Sequence, residues 1–230
     1  MGKKLFLISG LGADKRAFAN LHLNREWERI NVEWITPLAG ESVSRYAARL
    51  AERYGMDNQS VIIGLSFGGL IAVEITKIVH PALTIIISSA ATAKELPFLY
   101  RLAGALKLAK LIPAKVLNRP NRLFHRFFGL KKERETKLFD EIVAGSDPFF
   151  VKWALLQITT WKNTGRPEQV VKIHGTKDRL LPIHKKSTDY VVHGGTHFLT
   201  WENAARVSEI INRLLSDLRE KTGRHVRENG

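Results

Sequence analysis

Short, almost uninterrupted apolar runs recur through the first half of the chain, at residues 4–9, 32–35, 60–63 and 83–88, with helix-period patterns between them. No other feature restricts the fold as much. Runs such as Val61-Ile62-Ile63 and Ile85-Ile86-Ile87 have no polar face, so both sides of such strands must be covered. The segments at 44–53 and 70–79 place apolar residues at helical spacing, the second through Leu70, Val73, Ile75 and Ile78, ending before Pro81. Strand and helix in alternation predict a parallel sheet joined by crossover helices.

The alternation stops near Ala93 and resumes at Val170. The intervening pattern is helical, with Pro97, Pro113, Pro120 and Pro148 as breaks, which predicts a helical cap inserted at 94–169 into a core formed by 1–93 and 170–230. Further strands are expected at 170–174 and 189–192, then an amphipathic helix over 199–218 and a polar, frayed tail at 219–230. A chain of 230 residues with 44% hydrophobic composition suits one such core.

The formal charge of +14 is unevenly spread: twelve Lys or Arg stand against three Glu between Lys94 and Lys137, a local balance of +9. Neither an aromatic stacking platform nor a recognition helix accompanies it, so no nucleic-acid partner is expected. A solvated basic face is the plain reading; an anionic substrate, an acidic partner or an anionic membrane surface are the alternatives. Cysteine is absent, which excludes disulfides, Cys-ligated metal and a Cys nucleophile. With no His-x-x-x-His or His-Glu-x-x-His spacing either, neither a metal nor a cofactor is expected.

Gly64-Leu65-Ser66-Phe67-Gly68 is a Gly-x-Ser-x-Gly pentapeptide between a predicted strand and a predicted helix. The glycines allow the tight, strained turn that exposes a serine hydroxyl, and the helix start places backbone N–H groups near developing negative charge. Serine needs a base, and the base an acid to fix its tautomer. Asp178 lies four residues beyond the strand ending at His174, in a Gly-containing loop; an Asx-turn is its structural alternative. Past the final strand come His193 and His197. His197 follows the Gly194-Gly195 turn and directly precedes a helix, so it is the expected base, and His193 is read as structural.

In the order Ser66, Asp178, His197, each after a predicted strand, the chain resembles the α/β-hydrolase superfamily over nearly its whole length outside the cap. The resemblance implies an α/β-hydrolase fold: a compact, mostly parallel six-stranded sheet flanked by helices, lacking the two antiparallel leading strands of larger relatives. It also implies an oxyanion hole made by the backbone N–H groups of Leu11 and Phe67, with Ser9-Gly10-Leu11-Gly12 standing where many relatives carry His-Gly-x. Met1-Gly2-Lys3-Lys4 and the following apolar run have the outline of a secretion signal, yet cleavage there would remove a central strand and half of that hole; Phe6 also departs from the myristoylation motif. The expected location is cytoplasmic. The implied activity is serine hydrolysis of a small-molecule ester or thioester with an acyl or aromatic group. A non-catalytic receptor on the same fold and a peripheral membrane lipase with a basic lid are the rivals. Cap residues Phe98, Leu99, Leu102, Leu106, Phe124, Phe127, Phe128, Phe149 and Phe150 either line the acyl site or pack the cap.

Overall fold

The computed structural model describes residues 3–108, 111–114, 117, 119 and 122–228, with side chains described as far as residue 220. Met1, Gly2, Lys110, Lys115 and Pro120, named above, lie outside the described residues. Six strands form one sheet: β1 (Lys3–Ile8), β2 (Trp27–Val32), β3 (Val61–Leu65), β4 (Leu83–Ile87), β5 (Val170–Gly175) and β6 (Tyr190–Val192). Their order is β2-β1-β3-β4-β5-β6, and every neighbouring pair is parallel. Strand residues alternate between two cores. Phe6, Ile8, Ile62 and Ile86 face α1 (Val43–Tyr54) and α2 (Phe67–Val79), while Leu5, Leu7, Ile63 and Ile85 face α8 (Ala204–Glu228). Both faces are therefore closed, as the continuous apolar runs require.

One predicted strand is misplaced. The second strand occupies Trp27–Val32, not 32–35, because an edge strand keeps one side in water and its charged Glu28 and Arg29 interrupt the apolar pattern. Residues 33–35 need no strand partner: the N–H groups of Glu33 and Ile35 donate to the hydroxyls of Tyr54 and Tyr46, at 2.8 and 3.0 Å. The last helix also differs. α7 (Leu199–Glu202) stops at Asn203, and α8 continues past the predicted end to Glu228. Arg, Glu and Lys sustain a helix well, and Arg219 bridges to Glu26 at 2.7 Å, so the helical backbone runs on past 218, where a frayed tail is expected.

Between β4 and β5 the chain forms α3 (Phe98–Ala105), α4 (Arg122–Phe128), α5 (Glu133–Ala144) and α6 (Pro148–Thr160). The prolines mark helix starts: Pro97 caps α3, and Pro148 opens α6 behind Asp147, whose side chain accepts from Phe149 N–H at 2.9 Å. α6 is tied to the core by Trp153 Nε1, which donates to the Glu41 carbonyl at 2.9 Å, and by an aromatic cluster of Phe150 and Trp153 with Trp34, Tyr46 and Phe67. At the other end of the segment, buried Glu95 pairs with buried Lys172 of β5.

Candidate active site

In this strand order the chain reverses direction between β1 and β3, and the loops beyond that crevice are where open α/β sheets hold ligands. Ser66 sits there, between β3 and α2, with φ 52° and ψ −119°. That backbone is strained for any residue but glycine. Its neighbours explain how it persists. A Cβ on Gly64 would lie 2.4 Å from the Gly68 carbonyl oxygen, and one on Gly68 would lie 2.2 Å from that of Ser9, so only glycines let α2 approach β1 and β3 this closely. Ser66 N–H donates to the Ile87 carbonyl at 2.9 Å, and its own carbonyl accepts from Ser89 Oγ at 2.6 Å.

Ser66 Oγ is 2.9 Å from His197 Nε2, and His197 Nδ1 is 2.8 Å from Asp178 Oδ2. These side chains come from the ends of β3, β6 and β5. An ionised carboxylate only accepts, so Nδ1 carries the proton and Nε2 is free to accept from the serine hydroxyl. Asp178 is buried, which by itself would raise its pKa. The positive potential and hydrogen bonds of His197 and His174 outweigh burial and hold the carboxyl below the usual carboxylate range. Its Oδ1 also accepts from the N–H groups of Leu180 and Leu181, at 3.0 and 2.8 Å, so the Asx-turn and the His197 contact coexist in one side chain.

The loop after β1 packs against the serine: a Cβ on Gly10 would be 3.5 Å from Ser66 Cβ. Ala13 N–H bonds back to the Gly10 carbonyl at 3.0 Å, and the Ala13 carbonyl accepts from Ser9 Oγ at 2.6 Å and Trp34 Nε1 at 3.1 Å. Ser9 thus fixes the turn carrying Leu11. Phe67 is the first residue of α2, where a backbone N–H has no partner within the helix. Leu11 and Phe67 both line the cavity over Ser66.

That cavity has a volume of about 280 Å³ and an almost wholly apolar wall, with Leu96, Tyr100, Leu117, Phe124, Phe128 and Phe139 supplied by the segment between β4 and β5. Of the apolar cap residues singled out in the sequence, Phe124 and Phe128 line it. Phe150 lies in the core, and Phe98, Leu99, Leu102, Leu106, Phe127 and Phe149 are exposed. Among the described residues no Lys or Arg lines the cavity. Phe128 stands edge-on to the His197 ring at 5.0 Å. His193 is exposed, whereas His174, which the sequence reading passed over, is buried with Nε2 3.2 Å from Asp178 Oδ2 and 2.7 Å from the Leu181 carbonyl. Its position at the end of β5, four residues before Asp178, was the available signal. Among the described residues no three His, Asp or Glu side chains gather as metal ligands, and no helix is long and apolar enough to cross a membrane.

Residues 5–210 match the model of a family described as the alpha/beta hydrolase family. The chain belongs to the α/β-hydrolase family. Its fold is the one expected, a parallel six-stranded sheet between helical layers, and solved structures share it. A thermophilic esterase from Thermogutta terrifontis, with malate bound, is 16% identical at a TM-score of 0.72, over 95% of this chain and 91% of that one. MenH from S. aureus is 15% identical at a TM-score of 0.72, over 95% of each chain. The N-acyl homoserine lactonase AidH, in complex with N-butanoyl homoserine, is 16% identical at a TM-score of 0.66, over 95% of this α/β-hydrolase and 90% of that chain. At such identities the likeness is one of fold. None of the curated proteins compared matches the sequence.

Proposed function

We propose that this α/β-hydrolase is a serine hydrolase that cleaves a neutral ester or thioester bearing an acyl or aromatic group, through an acyl-enzyme on Ser66. The observation that carries this reading is the continuous chain from Ser66 Oγ through His197 to Asp178, at 2.9 and 2.8 Å, opening into an apolar cavity. Ser66 Oγ attacks the carbonyl carbon as His197 Nε2 takes its proton, and Asp178 stabilises the imidazolium. The tetrahedral oxyanion accepts hydrogen bonds from the N–H groups of Leu11 and Phe67. Collapse expels the alcohol or thiol, protonated by His197. Water then attacks the acyl-enzyme by the same route, releasing the acid and regenerating Ser66.

In this reading residues 94–169 form a cap on a core made of 1–93 and 170–230, and the cap determines the size of the acyl site. The esterase and lactonase chemistry named for two structural neighbours agrees with an ester-type substrate. The test is fluorophosphonate labelling together with a p-nitrophenyl ester series of increasing chain length, wild type beside Ser66→Ala. Labelling at Ser66 and turnover lost in the variant are expected. An unlabelled Ser66 would instead favour a non-catalytic receptor.

A further inference from the structure

The segment between β4 and β5 presents an apolar surface that the rest of the described chain leaves uncovered. Of thirteen large hydrophobic side chains exposed among the described residues, ten lie between Phe98 and Phe127, with Phe98, Leu99 and Leu111 exposed to 66%, 71% and 78%. Isolated exposed hydrophobes are ordinary; a contiguous concentration marks a contact surface. α3 shows how it arises. Gly104 packs so tightly on α6 that a Cβ there would lie 1.8 Å from the Thr159 carbonyl oxygen, and Tyr100 OH donates to the Leu180 carbonyl at 3.0 Å. Tyr100 and Gly104 therefore define the inner face. Phe98, Leu99, Leu102 and Leu106 form a single stripe on the opposite face, in solvent.

Charge bears on what could cover that stripe. From Phe98 to Phe128 the sequence contains seven Lys or Arg and no Asp or Glu. Arg101, Lys107, Arg119, Arg122 and Arg126 are exposed, and the Arg101 guanidinium lies 5.9 Å from the centre of the Phe98 ring. A second copy of the chain fits poorly, because a two-fold contact would press two acid-free cationic surfaces together. Cations interleaved with Leu and Phe suit a surface whose anions lie directly over an apolar layer. We propose that this outer face of α3, with Arg101 and Lys107 beside the stripe, docks on an anionic lipid bilayer. Its apolar side chains enter the acyl boundary while its cations lie among the headgroups. The same segment lines the cavity over Ser66 through Tyr100, Leu117, Phe124 and Phe128. Taken with the hydrolase reading, on which this step rests, docking makes the substrate an ester dissolved in lipid.

The experiment is co-sedimentation of full-length Ser66→Ala protein, in which binding is independent of turnover, with phosphatidylcholine vesicles with or without phosphatidylglycerol. Binding to the anionic vesicles at low ionic strength is expected, falling steeply as salt rises. Arg101→Gln with Lys107→Gln weakens it about thirtyfold. Leu99→Ser with Leu102→Ser, made in the wild-type background, also weakens it, with hydrolysis of a water-soluble ester unchanged. No binding to anionic vesicles at low salt overturns the proposal, as does equal binding to neutral ones. A dimer in solution that Leu99→Ser dissolves assigns the face to a second copy and also overturns it. Vesicle binding by a protein that hydrolyses no ester leaves the docking surface standing and removes the hydrolase reading.

Discussion

The strand ends and the helical segment between β4 and β5 treat polar and apolar groups in opposite ways. At the strand ends, polar groups are buried or half-buried and joined to one another: Ser66 to His197, His197 to Asp178, Ser89 to the Ser66 carbonyl. Among the described residues between Phe98 and Phe127, ten large apolar side chains are exposed and Arg101, Lys107, Arg119, Arg122 and Arg126 stand in water. The sheet has a helical layer on each face, whereas α3 packs one face on α6 and, among the described residues, leaves the other exposed. A group at the strand ends is therefore positioned by everything around it, and a group on the outer face of α3 by little except its own helix. Substitutions at the two places should separate cleanly, with chemistry lost at one and surface contacts at the other.

The largest expected separation is at Ser66. Ser66→Ala should lower kcat for an activated ester by roughly 10⁵-fold or more, with the thermal midpoint little changed. Asp178→Asn follows, at about 10⁴-fold, because the amide favours the wrong tautomer of His197. Asp178 also carries a pH signature. Its carboxyl is held below the usual range, so its contribution to stability is present above the unfolded value of about 4 and is lost as pH falls through the folded value. Urea unfolding of Asp178→Asn as a function of pH should show a shallower loss of stability in acid than the wild type. An equal loss would mean that other carboxylates govern acid unfolding.

Lys172 and Glu95 test the comparison where it is weakest, since this pair is buried and joins the central sheet to the start of the exposed segment. Burial lowers the Lys172 pKa against the opposing pull of Glu95. Lys172→Met alone strands a buried carboxylate and should cost about 3–5 kcal/mol in urea unfolding. Lys172→Met with Glu95→Gln should recover most of that, because the amide oxygen can still accept from Ala91 N–H, as Glu95 does at 3.3 Å. If the double variant is as unstable as the single, the charge pair itself fastens the segment to the sheet.

What could be read in the sequence follows the same division. Strands buried on both faces, such as Val61–Leu65, print continuous apolar runs, and the Ser66 turn is local enough to be spelled by its own glycines. The edge strand Trp27–Val32 was hidden because water on one side lets Glu28 and Arg29 interrupt the pattern. For the exposed segment, composition could not say which apolar residues face the cavity. Phe124 and Phe127 look alike in sequence and are exposed to nearly the same extent, and helix phase relative to a neighbour decides that Phe124 lines the cavity while Phe127 does not. His174 is obscure for a related reason: it stands at the end of a strand, and its role appears only where the chain folds back to bring Asp178 beside it.

His174 provides the smallest and most discriminating prediction. The Leu181 carbonyl only accepts, so His174 Nε2 carries a proton, aimed at that oxygen at 2.7 Å and shared with Asp178 Oδ2 at 3.2 Å. Its Nδ1 is buried without a hydrogen-bond partner among the described residues. Oδ2 thus divides its lone pairs between two imidazoles. His174→Phe would leave His197 as the only side-chain donor to that oxygen, and the carboxylate would then hold the His197 imidazolium more strongly. kcat should fall by about tenfold or less, and the acid limb of the kcat/KM profile should move to higher pH. Leu99→Ser, on the exposed face, should move neither. A His174→Phe enzyme with a lower thermal midpoint but an unmoved acid limb would reduce His174 to a space-filling residue and confine the chemistry to Ser66, His197 and Asp178.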